Sequence, residues 1–171
     1  VQGDMAVEAD IVSVFEQATS ELGSVTALVN NAGVLDLEGR LDEFDTDRIA
    51  RIIDVNVTGA ILCAREAVRR MSTKNGGAGG AIVNTASLAG VLGNPGRNAY
   101  AASKAALISM TKSLSCEWAE RGVRVNAVAP GYVRTPMVAE LERAGKADLS
   151  AVRQRVPVGR LGRSDEIASV A

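Results

Sequence analysis

The chain has 171 residues, 47% hydrophobic and 23% charged, with 19 basic against 20 acidic side chains, no histidine and a net charge of −1. That is the composition of a single globular domain of ordinary size, able to bury a sizeable core. It excludes a nucleic-acid binder working through a basic stripe, and no apolar run approaches the roughly 20 residues that cross a bilayer, so neither nucleic acid nor membrane is an expected partner.

Residues 1–4 read as the end of a strand. Residues 7–22 carry Ile11, Phe15, Ala18 and Leu22 at helical spacing and stop at Gly23, a usual helix end. Residues 25–29 form a short apolar strand, followed at once by Asn30-Asn31-Ala32-Gly33. Small and amide residues at that point leave donors free at the carboxyl edge of a sheet, where ligands sit in open α/β folds. An acidic loop spans 35–45. Thr46 then caps a long helix running to about Thr73, whose apolar face extends from Ile49 to Met71 and is broken by Asn56. A buried amide in that position has to find hydrogen-bond partners locally or in a site.

The glycine run 76–80 reads as a flexible connection and not as a phosphate loop, because a strand follows it and no helix does. The β-branched run 80–86 is a buried strand that delivers Ser87 at its end. Gly90, Gly93, Pro95 and Gly96 are turn signals. From Arg97 the pattern is helical, with Ala101, Ala105, Leu107, Ile108, Thr111 and Leu114 repeating every three or four residues, which sets Tyr100 and Lys104 one turn apart on one face. A further strand over 123–128 ends at Pro130-Gly131. Residues 132–162 mix short helical pieces with Pro136, Gly145, Pro157 and Gly159, a pattern suited to a mobile flap over a ligand. Ser164-Asp165-Glu166 caps a last helix. The alternation of strands and helices predicts an α/β fold, a doubly wound parallel sheet with helices on both faces, in one domain. Cys63 and Cys116 have neither metal-ligand nor disulfide spacing and read as buried small hydrophobes in a reducing cytoplasm.

The chemistry lies between Ser87 and Lys104, where a hydroxyl, a phenol and an ammonium can handle one proton. An unperturbed phenol titrates at about 10. An ammonium within about 4 to 6 Å favours the phenolate and brings the phenol towards neutral pH. With no histidine in the chain, Tyr100 is the candidate acid or base, and Ser87 the candidate to hold a substrate oxygen where charge develops.

Taken together, Asn30-Asn31-Ala32-Gly33, Asn56, Ser87, Tyr100-x-x-x-Lys104 and Pro130-Gly131 resemble the short-chain dehydrogenase/reductase family over the whole chain, including the thirteen-residue step from Ser87 to Tyr100. The resemblance implies a Rossmann-like fold and an oxidoreductase that moves a hydride between NAD or NADP and a secondary alcohol or ketone. It gives Tyr100 the role of acid/base and Ser87 that of binding the reacting oxygen. Lys104 would lower the Tyr100 pKa and hold the nicotinamide ribose, and Asn56 would hold a water linking Lys104 to solvent.

By the same resemblance, Asp4 and the Met5 backbone would meet the adenine. Asn31, Ala32 and Gly33 would line the adenosine ribose. Val133 and Thr135, after Pro130-Gly131, would meet the carboxamide and pyrophosphate. A homo-oligomer, dimer or tetramer, would form through the helices around 49–71 and 101–118. The family's glycine-rich phosphate loop, its first two strands and its last strand are not in this sequence. The expectation is therefore a partial domain of a polypeptide of about 250 residues. Substrate identity and the choice between NAD and NADP stay open. The alternatives are a nucleotide-binding sensor or scaffold without turnover, or an inactive fragment of a longer enzyme.

Overall fold

Three strands, β1 (Ala27–Asn30), β2 (Gly80–Thr85) and β3 (Val123–Val128), form a parallel sheet in the order β1-β2-β3. The structure, a computed structural model, describes residues 1–35, 38–145 and 149–171, and only the backbone of Met137 and Leu141. Positions 36–37 of the acidic loop and 146–148 of the expected flap lie outside the described residues. Residues Val1–Ala129 and Pro130–Ala171 form two compact units.

In the first unit, register pairs Asn30 with Asn84 and Ile82 with Val125. Because side chains alternate along a strand, Leu28, Asn30, Ile82, Asn84, Val123 and Val125 share one face. That face is covered: Ile82 joins Ile11 and Phe15 of α1 (Glu8–Leu22), Ala67 and Met71 of α3 (Ala60–Met71), and Leu114 and Trp118 of α4 (Asn98–Trp118) in one core. Burial of each large aliphatic side chain there contributes about 1.5–3 kcal/mol. On the opposite face Val29 is 53% exposed. The parallel α/β architecture expected from the alternation of elements is present, with its helical cover, among the described residues, on this one face.

Residues 1–4 do not form the expected strand; among the described residues β1 pairs only with β2, and no neighbour offers them a ladder. Asp4 instead folds the chain into α1. Its carboxylate accepts from the Ala6 amide at 2.9 Å and its carbonyl from Val7 at 2.9 Å, while Asp10 accepts from the Asp4 amide.

The long helix expected from Thr46 is there, but Asp45 is its cap, accepting from the Arg48 amide at 2.7 Å. Thr46 is the first residue of α2 (Thr46–Ile53). The helix is also not uniform. Between α2 and α3 the residues Asp54–Gly59 make a π turn, a one-residue widening that recurs at functional sites. Asn56 lies in the middle of it. Gly59 closes the turn where Met5 crosses, and a Cβ there would collide with the Met5 carbonyl.

The glycine run 76–80 is a tight corner and not a flexible connection. Gly79 donates to the Met71 carbonyl at 2.8 Å and Gly80 to that of Gly122 at 3.0 Å, and a Cβ on Gly80 would come within 2.6 Å of the Thr26 carbonyl. Glycine is required there by close approach. Cys63 is buried as expected, but Cys116 is exposed, because it lies on the outer side of α4.

The second unit carries α5 (Pro136–Arg143), α6 (Ser150–Arg155) and α7 (Ser164–Ala168), with a bridge joining Val133 to Gly162. Glu142 of α5 pairs with Arg153 of α6 and lies 3.7 Å from Arg134. The cap of α7 is Arg163, not Ser164: the Arg163 amide donates to the Glu166 carboxylate at 2.7 Å, the reciprocal half of a capping box displaced by one residue.

Candidate active site

Three segments of the first unit converge on Lys104. The first is α4 itself, where helical spacing carries Tyr100 and Lys104 on adjacent turns; Nζ of Lys104 is 5.7 Å from the centre of the Tyr100 ring. Tyr100 is half-buried and Lys104 only 4% exposed. The second is the end of β2, where the carbonyl of Thr85 accepts from Lys104 Nζ at 2.7 Å. The third is the loop after β1: a Cβ placed on Gly33 would lie 3.5 Å from Lys104 Nζ and 3.3 Å from Asn56 Oδ1.

Burial pushes the Lys104 ammonium below its ordinary value. Among the described residues it makes no ion pair, and one of its three N–H donors has a protein acceptor. A desolvated cation with spare donors favours negative charge or lone pairs nearby.

Ser87 lies two residues past the end of β2 and is extended. Its hydroxyl accepts from the Ala89 amide at 3.2 Å, starting the short turn Leu88–Gly90. That turn packs on α4 at Lys104. A Cβ on Gly90 would stand 2.7 Å from the Lys104 carbonyl carbon, so only glycine lets the Ser87 loop sit so close to the helix. The hydroxyl proton of Ser87 is not donated to any described residue.

Asn56 is 1% exposed and fully engaged. Its Oδ1 accepts from the Val34 amide at 2.7 Å, and Nδ2 donates to the Val34 carbonyl at 3.0 Å and to Ser103 Oγ at 3.0 Å. Both N–H bonds of the side chain are therefore used by protein, so a water on Asn56 has to be held by an oxygen. The carboxamide ties the π turn to the loop after β1.

A second polar chain lies deeper. Asn30 donates to the Ala60 carbonyl at 3.1 Å and to Asn84 Oδ1 at 2.9 Å. Asn84 donates to Thr111 Oγ1 at 2.9 Å, and Thr111 to the Leu107 carbonyl at 2.7 Å. These bonds join α3, β1, β2 and α4 beneath the site. Asn84 and Ser103 did not stand out in the sequence, and Thr111 did so only as a member of the α4 repeat; the available signal was a polar residue on an otherwise apolar face.

At the carboxyl end of β1 a cleft of about 660 Å³ is lined by Asp4, Met5, Ala32, Gly33, Val34 and Arg51 among others. It brings together four of the residues expected to bind cofactor, Asp4, Met5, Ala32 and Gly33. Asn31 does not line it; that residue is exposed beside it, its amide donating to the Val29 carbonyl at 3.0 Å. Asp4 offers a carboxylate 3.7 Å from Arg51, and Gly33 offers bare backbone next to Lys104. Backbone edges, a carboxylate and a buried cation are what the ribose hydroxyls and amide of a dinucleotide require, so these residues fit one. Pro130, Gly131, Val133 and Thr135 belong to the second unit. There Val133 bridges Gly162, and the Thr135 hydroxyl caps α5 by accepting from the Val138 amide at 3.3 Å.

A parallel α/β sheet with its ligand cleft at the strand carboxyl ends defines the Rossmann-like nucleotide-binding class. All of residues 1–171 match a family model described as enoyl-(acyl carrier protein) reductase. An uncharacterized short-chain type dehydrogenase/reductase of Sinorhizobium fredii is 52% identical over 96% of this chain, which spans 29% of that protein. The cis-4-hydroxycyclohexanecarboxylate dehydrogenase of Sinomonas cyclohexanicum is 39% identical over 98% of this chain, which spans 65% of it. The structure of ElxO with NADP bound superposes with a TM-score of 0.91 at 30% identity, covering 99% of this chain and 67% of that one. The chain belongs to the short-chain dehydrogenase/reductase family.

Proposed function

We propose that the protein is an NAD(P)-dependent oxidoreductase that interconverts a secondary alcohol and its ketone. The observation that carries this reading is the Lys104 ammonium, buried and without a counter-ion among the described residues, 5.7 Å from the Tyr100 ring. In this reading Tyr100, beside that cation, takes a proton from an alcohol or gives one to a forming alkoxide. Ser87, with an undonated hydroxyl proton, is the partner for the same oxygen.

In this reading Asp4, Met5, Ala32 and Gly33, which line the cleft, hold the adenosine end, and Lys104 holds the nicotinamide ribose. Pro130, Gly131, Val133 and Thr135 are assigned to the nicotinamide end by the family resemblance alone. When bound, the cofactor supplies the site that gives or takes the hydride. The residues of this chain do the rest: they orient the carbonyl carbon, exclude water and move the proton.

Support for the substrate class comes from two sides. The dehydrogenase of Sinomonas cyclohexanicum is named for a ring alcohol. In the segment that follows Ser87, Leu88, Val91 and Leu92 are 38%, 63% and 58% exposed, apolar side chains close in sequence to the proposed oxygen site. That favours an alcohol with hydrocarbon flanks. A dimer or tetramer through the outer faces of the α2–α3 helix and α4 belongs to the same reading, as does a reducing cytoplasmic setting for the two free cysteines. Among the described residues no helix is long and apolar enough to cross a membrane.

The test is titration of the complete polypeptide with NADH and NADPH, followed by turnover on a panel of cyclic and linear secondary alcohols and primary alcohols of equal size. Binding of one cofactor with turnover confined to secondary alcohols is expected. Failure to bind either cofactor contradicts the reading.

A further inference from the structure

The site described so far uses Tyr100 and Lys104 but not Ser103 between them. Yet Ser103 is 0% exposed, in the same class as the deepest core residues. Its helical neighbours explain why a hydroxyl is there. Ser103 Oγ donates to the Tyr100 carbonyl at 2.7 Å and accepts from Asn56 Nδ2 at 3.0 Å. A serine hydroxyl has a single proton. With that proton committed to Tyr100, the oxygen facing Asn56 can only accept.

Val34 sets the polarity of the Asn56 carboxamide: Oδ1 takes the Val34 amide at 2.7 Å while Nδ2 reaches the Val34 carbonyl at 3.0 Å. Ser103 supplies the acceptor for the second Nδ2 proton and so anchors that carboxamide to α4. The backbone of Val34 is thereby clasped by both of its polar groups. Gly33, one residue earlier, is the residue whose Cβ position falls 3.5 Å from Lys104 Nζ. The chain of hydrogen bonds runs from the Tyr100 carbonyl through Ser103 and Asn56 to Val34, next to the Gly33 that lies beside Lys104.

We propose that Ser103 is a positioning residue: its hydroxyl anchors the Asn56 carboxamide to α4, and through it holds the Gly33–Val34 backbone in place on the side facing Lys104, shaping the cofactor cleft. The proposal rests on the functional reading above for its consequence, but not for its geometry. Val34 and Gly33 both line the cleft. Loss of the Ser103 oxygen leaves a buried Asn56 N–H without a partner, and the carboxamide loses the one bond that ties it to α4. The loop after β1 then loosens on the side facing Lys104.

The experiment compares Ser103→Ala with Thr111→Ala in the complete polypeptide. Both variants delete a buried hydroxyl from α4, but Thr111 serves Asn84 and does not touch the loop. Hydrogen exchange at the Val34 amide is expected to be about tenfold faster in Ser103→Ala and unchanged in Thr111→Ala. In the same variant the KM for cofactor should rise about tenfold while kcat stays within about threefold, the split expected when binding geometry and not the chemical step is disturbed. Ser103→Cys, close in size with a weaker acceptor, should fall between wild type and Ser103→Ala, and serves if the alanine variant does not fold. Val34 exchange at the wild-type rate in the alanine or cysteine variant, or equally raised by Thr111→Ala, overturns the proposal. So does faster exchange with cofactor KM unchanged. Wild-type protein that binds neither cofactor overturns the functional reading, and Val34 exchange then decides the role of Ser103 by itself.

Discussion

Lys104 Nζ donates to the carbonyl of Thr85 at 2.7 Å, fastening the catalytic-type turn of α4 to the last residue of β2. The strand that leads to Ser87 and the helix that carries Tyr100 are thus joined through one buried cation. The ammonium is buried without a carboxylate partner among the described residues, and desolvation lowers its pKa.

Lys104→Met should reveal that burden in the pH dependence of stability. A lysine whose folded pKa lies below its ordinary value of 10.5 binds more protons unfolded than folded across the interval between the two. Stability then rises with pH through that interval, and the full penalty is present below it. The melting temperature of wild type minus that of Lys104→Met should therefore increase as pH rises towards 10.5. A flat difference would show that the ammonium is not desolvated in the folded protein.

Glu66 gives the opposite limb. Burial pushes its carboxyl up, but Arg70, Arg65 and Arg69, at 2.7, 3.1 and 2.8 Å, together outweigh burial and hold it below 4.5. A lowered carboxylate stabilises above its unfolded pKa, and that contribution disappears as pH falls through the folded value. Glu66→Gln should melt below wild type at pH 7 and converge with it in acid. Thermal melts from pH 7 down to pH 2 check this.

Asn84→Leu removes the middle of the buried chain that starts at Asn30 and ends at Thr111. It strands a donor on Asn30 and an acceptor on Thr111, each worth about 1–3 kcal/mol when left unpaired, so a loss of about 2–6 kcal/mol is expected by urea denaturation. The triple variant Asn30→Leu, Asn84→Leu, Thr111→Val removes the stranded groups together and should recover most of that loss.

Gly59→Ala adds a methyl where the Met5 carbonyl crosses the π turn. Met5 must move, and with it the wall of the cleft that it shares with Asp4. Cofactor affinity should fall about tenfold or more, read by fluorescence titration, because misplacement of about 1 Å is enough for losses of that order.

Much of this arrangement could be read from the chain because it depends on local spacing. Tyr100 and Lys104 are four apart in a helix, Ser87 ends an apolar run, and Gly23 ends α1, so each follows from periodicity and turn chemistry. What sequence withheld depends on register and on partners distant in the chain. Asn30 opposite Asn84 is a consequence of how β1 pairs with β2, which neither strand specifies alone. The π turn at Asn56 looks like ordinary helix in sequence, because it keeps the apolar face and changes only the width of one turn. Asp45 takes the cap from Thr46 because its carboxylate reaches the Arg48 amide one residue earlier, a choice that helix periodicity leaves open. The corner at 76–80 reads as flexible until Met71 and Gly122 are seen pressing on it.

The central claim is that the Tyr100 phenol, next to a buried cation, moves the proton. Its most direct test is Tyr100→Phe in the complete polypeptide, with kcat and cofactor affinity measured on the same preparation. The account predicts that kcat falls by about a hundred- to ten-thousand-fold while affinity stays within about threefold of wild type. A kcat within about twofold of wild type would contradict it.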